Sequence, residues 1–176
     1  MVDETMGNPQ ATEAEIGWLA GIIDGEGHIG ISRQGAKKGD AIKTDLQIVN
    51  TDWALIQKVI DILRKLGVNP HVRERVHVKK TWNTNWIVSV GKFAHIRRVL
   101  EAVRPHLTGI KSEKADCMLD LIRSRMQKTR ADRYDLYEVA IVEQFRSRFV
   151  GTCGASTTAR EARTRISPVK IQSGLA

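Results

Sequence analysis

The sequence predicts an α+β domain with the element order αββαββα, an antiparallel sheet and further helices at its C-terminal end. Three observations carry that prediction. Two pairs of segments alternate apolar and polar residues with period two, each pair is divided by a turn-rich stretch, and the segments between the pairs carry apolar residues at three- and four-residue spacing. Thr12 followed by Glu15 forms a capping box that opens the first helix, which runs to about Gly25. The strands HIGISR and AIKTDLQIVN flank the turn-rich stretch Gln34 to Asp40 and form a hairpin. Asp52 or Thr51 caps a second helix whose Ile56, Val59, Ile60, Leu63 and Leu66 share a face, and Gly67 with Asn69 and Pro70 ends it. A second hairpin pairs HVRERVHV with NWIVSV across a turn from Lys79 to Thr84. Gly91 opens a third helix that carries Phe93, Ile96, Val99, Leu100 and Val103 until Pro105. Two more amphipathic helices follow. One starts at Ser112 and presents Ala115, Met118, Leu119, Ile122 and Met126; the next presents Leu136, Val139, Ala140, Val142 and Phe145. These bound a domain over residues 12–149, with a flexible lead at 1–11 and a loose basic tail at 150–176 that is rich in Gly, Ser, Thr and Arg.

Charge and composition narrow the function. The chain has 176 residues, 28 Lys and Arg against 20 Asp and Glu, and a net charge of +8, which favours an anionic partner such as nucleic acid. No apolar run reaches the roughly 18–20 residues of a membrane span, and the polar start lacks the apolar region of a secretory signal, so an intracellular protein is expected. Cys117 and Cys153 have no metal-ligand spacing and suggest neither a zinc site nor a disulfide framework. An aromatic content of 5% argues against a single-strand stacking protein, and Trp53, Trp82 and Trp86 are expected to be packing or hairpin residues and not base-stacking platforms.

The most specific segment is Trp18–Gly27, WLAGIIDGEG. Gly17, Gly21 and Gly25 recur every fourth residue on one helical face, and each costs a helix about 1 kcal/mol relative to Ala. Close approach of a second helix backbone is the physical reason to accept such a cost. Asp24 and Glu26 then arrive at the helix C-terminus, where the macrodipole disfavours negative charge, and a bound divalent cation would relieve that conflict. A plain glycine C-cap explains Gly25 or Gly27 but not Gly17 and Gly21.

LAGIIDGEG resembles the LAGLIDADG motif of the homing endonucleases, and the single copy resembles the homodimeric, intron-encoded branch of that family. Further segments extend the resemblance over roughly residues 13–119: Leu46 to Asn50 is similar to the end of the second strand, Val72 to Arg75 to the basic third strand, and Pro105 to Leu107 with Lys111 to Ala115 to the segment bearing the active-site lysine. The resemblance implies a saddle-shaped αββαββα domain whose motif helices form a dimer interface, here Gly17, Ala20, Gly21, Asp24 and Gly25, while the sheet lies in the DNA major groove. It implies Glu26 as metal ligand with the Gly25 carbonyl beside it, Lys111 as the basic group near the scissile phosphate, Asn50 as an orderer of water, and Asp24 in a more structural role. Asn at position 50, where a relative has Gln, departs from the pattern. Magnesium or manganese is the implied cofactor; calcium is expected to bind without supporting cleavage. Cutting across the minor groove to leave 3′ overhangs belongs to the same resemblance.

Strand alternation sorts the readers of DNA. Ile29, Ile31, Leu46 and Ile48 point to the core, whereas His28, Gly30, Ser32 and Gln34 on the first strand, Lys43, Asp45 and Gln47 on the second, and Arg73, Arg75 and His77 on the third face the other way, with Asn85 joining them from the fourth. Arg suits guanine and Gln suits adenine. Lys37, Lys38, Lys79 and Lys80 in the turns suit phosphate. The expected function is site-specific cleavage of a long, roughly palindromic duplex by a homodimer, since one chain supplies one Glu26 and two strands need two sites. Two alternatives stay open on this fold: a maturase that binds its host intron RNA, and a DNA-binding regulator that does not cleave. The compartment is left as bacterial or phage cytoplasm or an organelle.

Overall fold

The computed structural model describes residues 10–34, 41–76, 83–129 and 132–150. Its elements are α1 (Glu13–Glu26), β1 (Gly27–Gln34), β2 (Ala41–Asn50), α2 (Trp53–Lys65), β3 (His71–Arg75), β4 (Asn85–Val90), α3 (Phe93–Val103), a 3₁₀ turn (Arg104–His106), α4 (Gly109–Met126), α5 (Leu136–Phe145) and a π-helical turn (Arg146–Val150). The predicted αββαββα order with C-terminal helices is therefore the observed one. Local signals open the first two helices as expected, whereas α3 starts at Phe93 with Lys92, not Gly91, at its N-cap. Thr12 and Glu15 exchange both capping-box hydrogen bonds, and Asp52 accepts from the N–H groups of Ala54 and Leu55.

The four strands form one antiparallel sheet in the order β1-β2-β4-β3. Gly27 pairs with Ile48 and Ile29 with Leu46; Ile48 pairs in turn with Val88, and Leu46 with Val90. Those residues are nearly fully buried and meet Leu19, Ala20 and Ile23 of α1, together with Val59, Leu63, Ile96 and Leu100, in one core. Burying a side chain of this size contributes roughly 1.5–3 kcal/mol. The helices thus cover one face of the sheet, and the other carries half-buried and exposed residues around a fully buried Ile87.

Packing moves several boundaries and one helix face. The third strand is His71–Arg75, Val76 beyond it is exposed and outside the strand, and the rest of the expected strand to Val78 lies outside the described residues. The fourth helix starts at Gly109, three residues before Ser112, with Thr108 at the N-cap position. Met126, expected on the apolar face, is exposed. In α5 the inward face is Glu138, Ile141, Val142 and Phe145, while Leu136 is 89% exposed and Ala140 is also exposed. Burial of Glu138 explains that difference. Its carboxylate meets Lys128 Nζ at 3.1 Å, Ser124 Oγ at 3.2 Å and Arg125 at 3.7 Å, and the arginine is itself nearly buried and stacks on Tyr134. Removing one partner of such a pair costs about 3–5 kcal/mol, so the network outweighs the apolar preference of Leu136. Tyr134 also donates to the carbonyl of Ile42, which ties the helical cap to β2. The proposed lead at 1–11 and tail at 150–176 lie almost wholly outside the described residues, as do Trp82 and Cys153.

Candidate nucleic-acid interface and active centre

Cross-strand register builds the free face of the sheet. His28 pairs with Gln47, Gln47 with Ser89, and Ser89 with His71, so one polar row crosses all four strands. Parallel to it run Gly30 with Asp45, Ser32 with Lys43, and Asn85 with Arg75, while Arg73 ends the row Val49–Ile87. Paired residues share a face, so the expected reading residues His28, Gly30, Ser32, Lys43, Asp45, Gln47, Arg73, Arg75 and Asn85 stand on one side, opposite Ile29 and Leu46. His28, Ser32, Lys43, Arg73 and Arg75 are exposed. Gln34 continues the same parity, but its side chain lies outside the described residues, as do Lys37, Lys38, His77, Lys79 and Lys80. Sequence reasoning missed His71 and Ser89. Counting back two from Arg73, and two along β4 from Ile87, would have found both.

The face is continuous with the end of α1. That helix passes into β1 with no intervening loop: Gly27 is at once the C-cap and the first strand residue, and its N–H donates to the carbonyl of Ile23. A Cβ at Gly27 would lie 2.6 Å from that carbonyl oxygen, so only glycine lets the chain turn this tightly. The turn leaves Glu26 exposed at the helix end. Its carboxylate accepts no hydrogen bond from the described residues, and its electrostatic partner there is Lys111. Lys111, in the first turn of α4, donates to the carbonyl of Gly27. Asp24 instead accepts from both the N–H (3.1 Å) and the hydroxyl (2.9 Å) of Thr108. That hydroxyl therefore does not cap its own helix. Asp24 thus fastens the start of α4, and Lys111 with it, against the end of α1.

Burial holds the Lys111 ammonium below its ordinary proton affinity, and the neighbouring charge of Lys114 adds to this, against the opposite pull of Asp24 and Glu26. His28, exposed but partly desolvated by its neighbours, is likewise pushed down by that desolvation and by Lys114 and Lys111, while Asp45 pulls it up. Lys114, one helical turn beyond Lys111, is therefore a second cation of the centre that sequence reasoning left unassigned. A lysine with a depressed folded value carries the cost of its buried charge in full at neutral pH, and that cost is relieved only as pH rises toward the unfolded 10.5. Lys111→Met is accordingly expected to hold or raise the thermal midpoint at pH 7. A fall of more than about 4 °C in a melting experiment would show instead that the ammonium supports the fold.

Two assignments change. Asn50 shares the row of Trp86 and Glu74, opposite to that of Gln47, and its carboxamide oxygen accepts from Asp52 N at 2.8 Å. Among the described residues no hydrogen bond joins it to Glu26 or Lys111, so it builds the β2–α2 turn. Ala20, expected on the interface, is fully buried against its own core because it lies next to Leu19 on the inward side of α1. Gly17, Gly21 and Gly25 do line an open stripe: a Cβ built on any of them meets nothing within 4 Å.

A hard divalent cation needs about six oxygen ligands. Among the described residues no three His, Cys, Asp or Glu side chains gather to hold an ion. What the chain offers is the free Glu26 carboxylate and, in the last turn of α1, the Gly25 carbonyl, which lies where helix carbonyls lack an intrahelical donor. This donor set fits an ion whose remaining ligands are water and phosphate oxygens.

Comparisons with known proteins bear on the fold that carries this site. No curated protein sequence matches the chain. Among solved structures, the homing endonuclease I-CvuI in complex with its target and calcium is similar with a TM-score of 0.52 and 16% identity, over 77% of this chain and 94% of that one. The group I intron-encoded homing endonuclease I-CeuI, complexed with DNA, is similar with a TM-score of 0.57 and 15% identity, over 78% and 68%. A lysine double mutant of I-SmaMI matches with a TM-score of 0.59 and 12% identity, over 92% of this chain but 53% of that one. At these identities the likeness shows the fold. The LAGLIDADG-like domain family matches residues 13–104, more than half of the sequence and the whole span from α1 through the sheet to α3. The chain belongs to the LAGLIDADG-like domain family and has the fold of the LAGLIDADG homing endonucleases.

Proposed function

We propose that two copies of this chain form a site-specific, divalent-metal-dependent endonuclease that makes double-strand breaks in a long, roughly palindromic duplex inside the cell. The observation that carries this reading is the free Glu26 carboxylate beside Lys111, at the edge of a polar row that crosses the whole sheet. A sheet face of this width fits the major groove, and its Arg, Gln and His side chains supply donors and acceptors for base edges. In each copy Glu26 and the Gly25 carbonyl are the groups that would hold the ion. When bound, a divalent ion activates water and stabilises the attacking and leaving oxygens. Lys111 and Lys114 neutralise charge that develops on the phosphorane. Asp24 keeps Lys111 in place through Thr108.

The two-copy reading rests on stoichiometry. A chain has one Glu26, the glycine stripe of α1 is open, and the chain spans nearly all of I-CvuI but about half of I-SmaMI. Among the described residues no helix is long and apolar enough to cross a membrane. Purified protein with magnesium is expected to linearise specific members of a randomised plasmid library. Specific binding without cleavage would assign the chain to a regulator, and binding to RNA alone would assign it to a maturase.

A further inference from the structure

Asp45 is the one acidic residue among the described strand positions of the free sheet face. A carboxylate there opposes DNA unless a donor meets it, because phosphates repel it and guanine and thymine present oxygen acceptors in the major groove. Its titratable neighbour on this face is His28, on which desolvation, Lys114 and Lys111 together outweigh the pull of Asp45. Asp45 joins no ion pair among the described residues, and its one hydrogen bond there is to Gln47 Nε2 at 2.6 Å. A carboxylate only accepts, so the amide nitrogen of Gln47 must face Asp45, which fixes the amide plane and leaves Gln47 Oε1 as a further acceptor. Gly30, directly across from Asp45, has no side chain of its own, and the His28 imidazole takes that place. A Cβ there would strike His28 Nε2 at 2.4 Å, so glycine lets the imidazole lie along the strand.

We propose that Asp45, held by Gln47, selects a base carrying an exocyclic amino group in the major groove, cytosine through N4 or adenine through N6, and excludes guanine and thymine at that place in each half-site. The inference rests on the reading that this face meets duplex DNA. Asp45 is then a specificity-determining residue that acts by rejection as much as by contact, since the wrong base leaves its carboxylate facing another acceptor.

The test is selection of bound duplexes from a randomised pool in calcium, so that binding is read without cleavage, using the full chain as wild type, Asp45→Asn and Gln47→Ala. Wild type is expected to enrich cytosine or adenine about tenfold or more at one position per half-site. Asp45→Asn, whose amide also donates, is expected to admit guanine or thymine there while the other positions keep their preferences. Gln47→Ala, which frees the carboxylate, is expected to weaken the preference at that same position. An Asp45→Asn profile identical to wild type, or one altered equally at every position, overturns the inference alone. A wild type that selects no sequence at all overturns the DNA reading beneath it.

Discussion

Glu26→Gln is expected to lower double-strand cleavage by about a thousandfold or more while the protein stays folded and bound to its target. The magnitude follows from losing a charged ligand at the reacting phosphate, a loss of several kcal/mol where each 1.36 kcal/mol is tenfold in rate. The separation of effects follows from geometry. Glu26 is exposed, ends α1 and accepts no hydrogen bond from the described residues, so the amide disturbs no packing. Removing a negative charge beside the phosphates also does not weaken binding. Asp24→Asn is the informative contrast, because Asp24 bonds Thr108 and loosens α4 when altered. Cleavage by Glu26→Gln at the wild-type rate, measured on the selected target with equal binding, would remove Glu26 from the active centre.

Gly21→Leu has the second large expected effect, and here stability and assembly move in opposite directions. Within one copy a Cβ at Gly21 meets nothing within 4 Å, and replacing a helical glycine removes a cost of about 1 kcal/mol, so the single chain folds at least as well as before. Across a close helix pair the added side chain overpacks by about 3 kcal/mol, which raises the dimer dissociation constant by roughly a hundredfold. Sedimentation at micromolar concentration is expected to show a dimer for wild type and a monomer for the variant, with double-strand breaks lost in parallel. A wild type that is monomeric and fully active refutes the two-copy reading, as does a variant that remains dimeric.

Both predictions use features legible in the sequence, because the motif concentrates them in one helix. Its glycines at four-residue spacing, its terminal acidic residues and the alternation of β1 and β2 depend on local periodicity, and periodicity is a property of the chain alone. The lysine segment was legible through its resemblance to the family. Lys114 was not, since nothing in the local sequence marks a lysine's neighbour on another element.

By itself the sequence determined the order of elements, the caps at Thr12 and Asp52, the two faces of the sheet and the place of Glu26 at a helix end. Only tertiary structure decided that Asp24 reaches Thr108, that Asn50 is consumed by a turn, that Ala20 belongs to the core, and that α5 turns Glu138 inward in place of Leu136. The physical reason is the same in each case. Backbone periodicity and capping are settled within a few residues, whereas the partner of a polar side chain is chosen by what packing brings beside it, here from 84 residues away for Asp24 and from the neighbouring helix for Glu138.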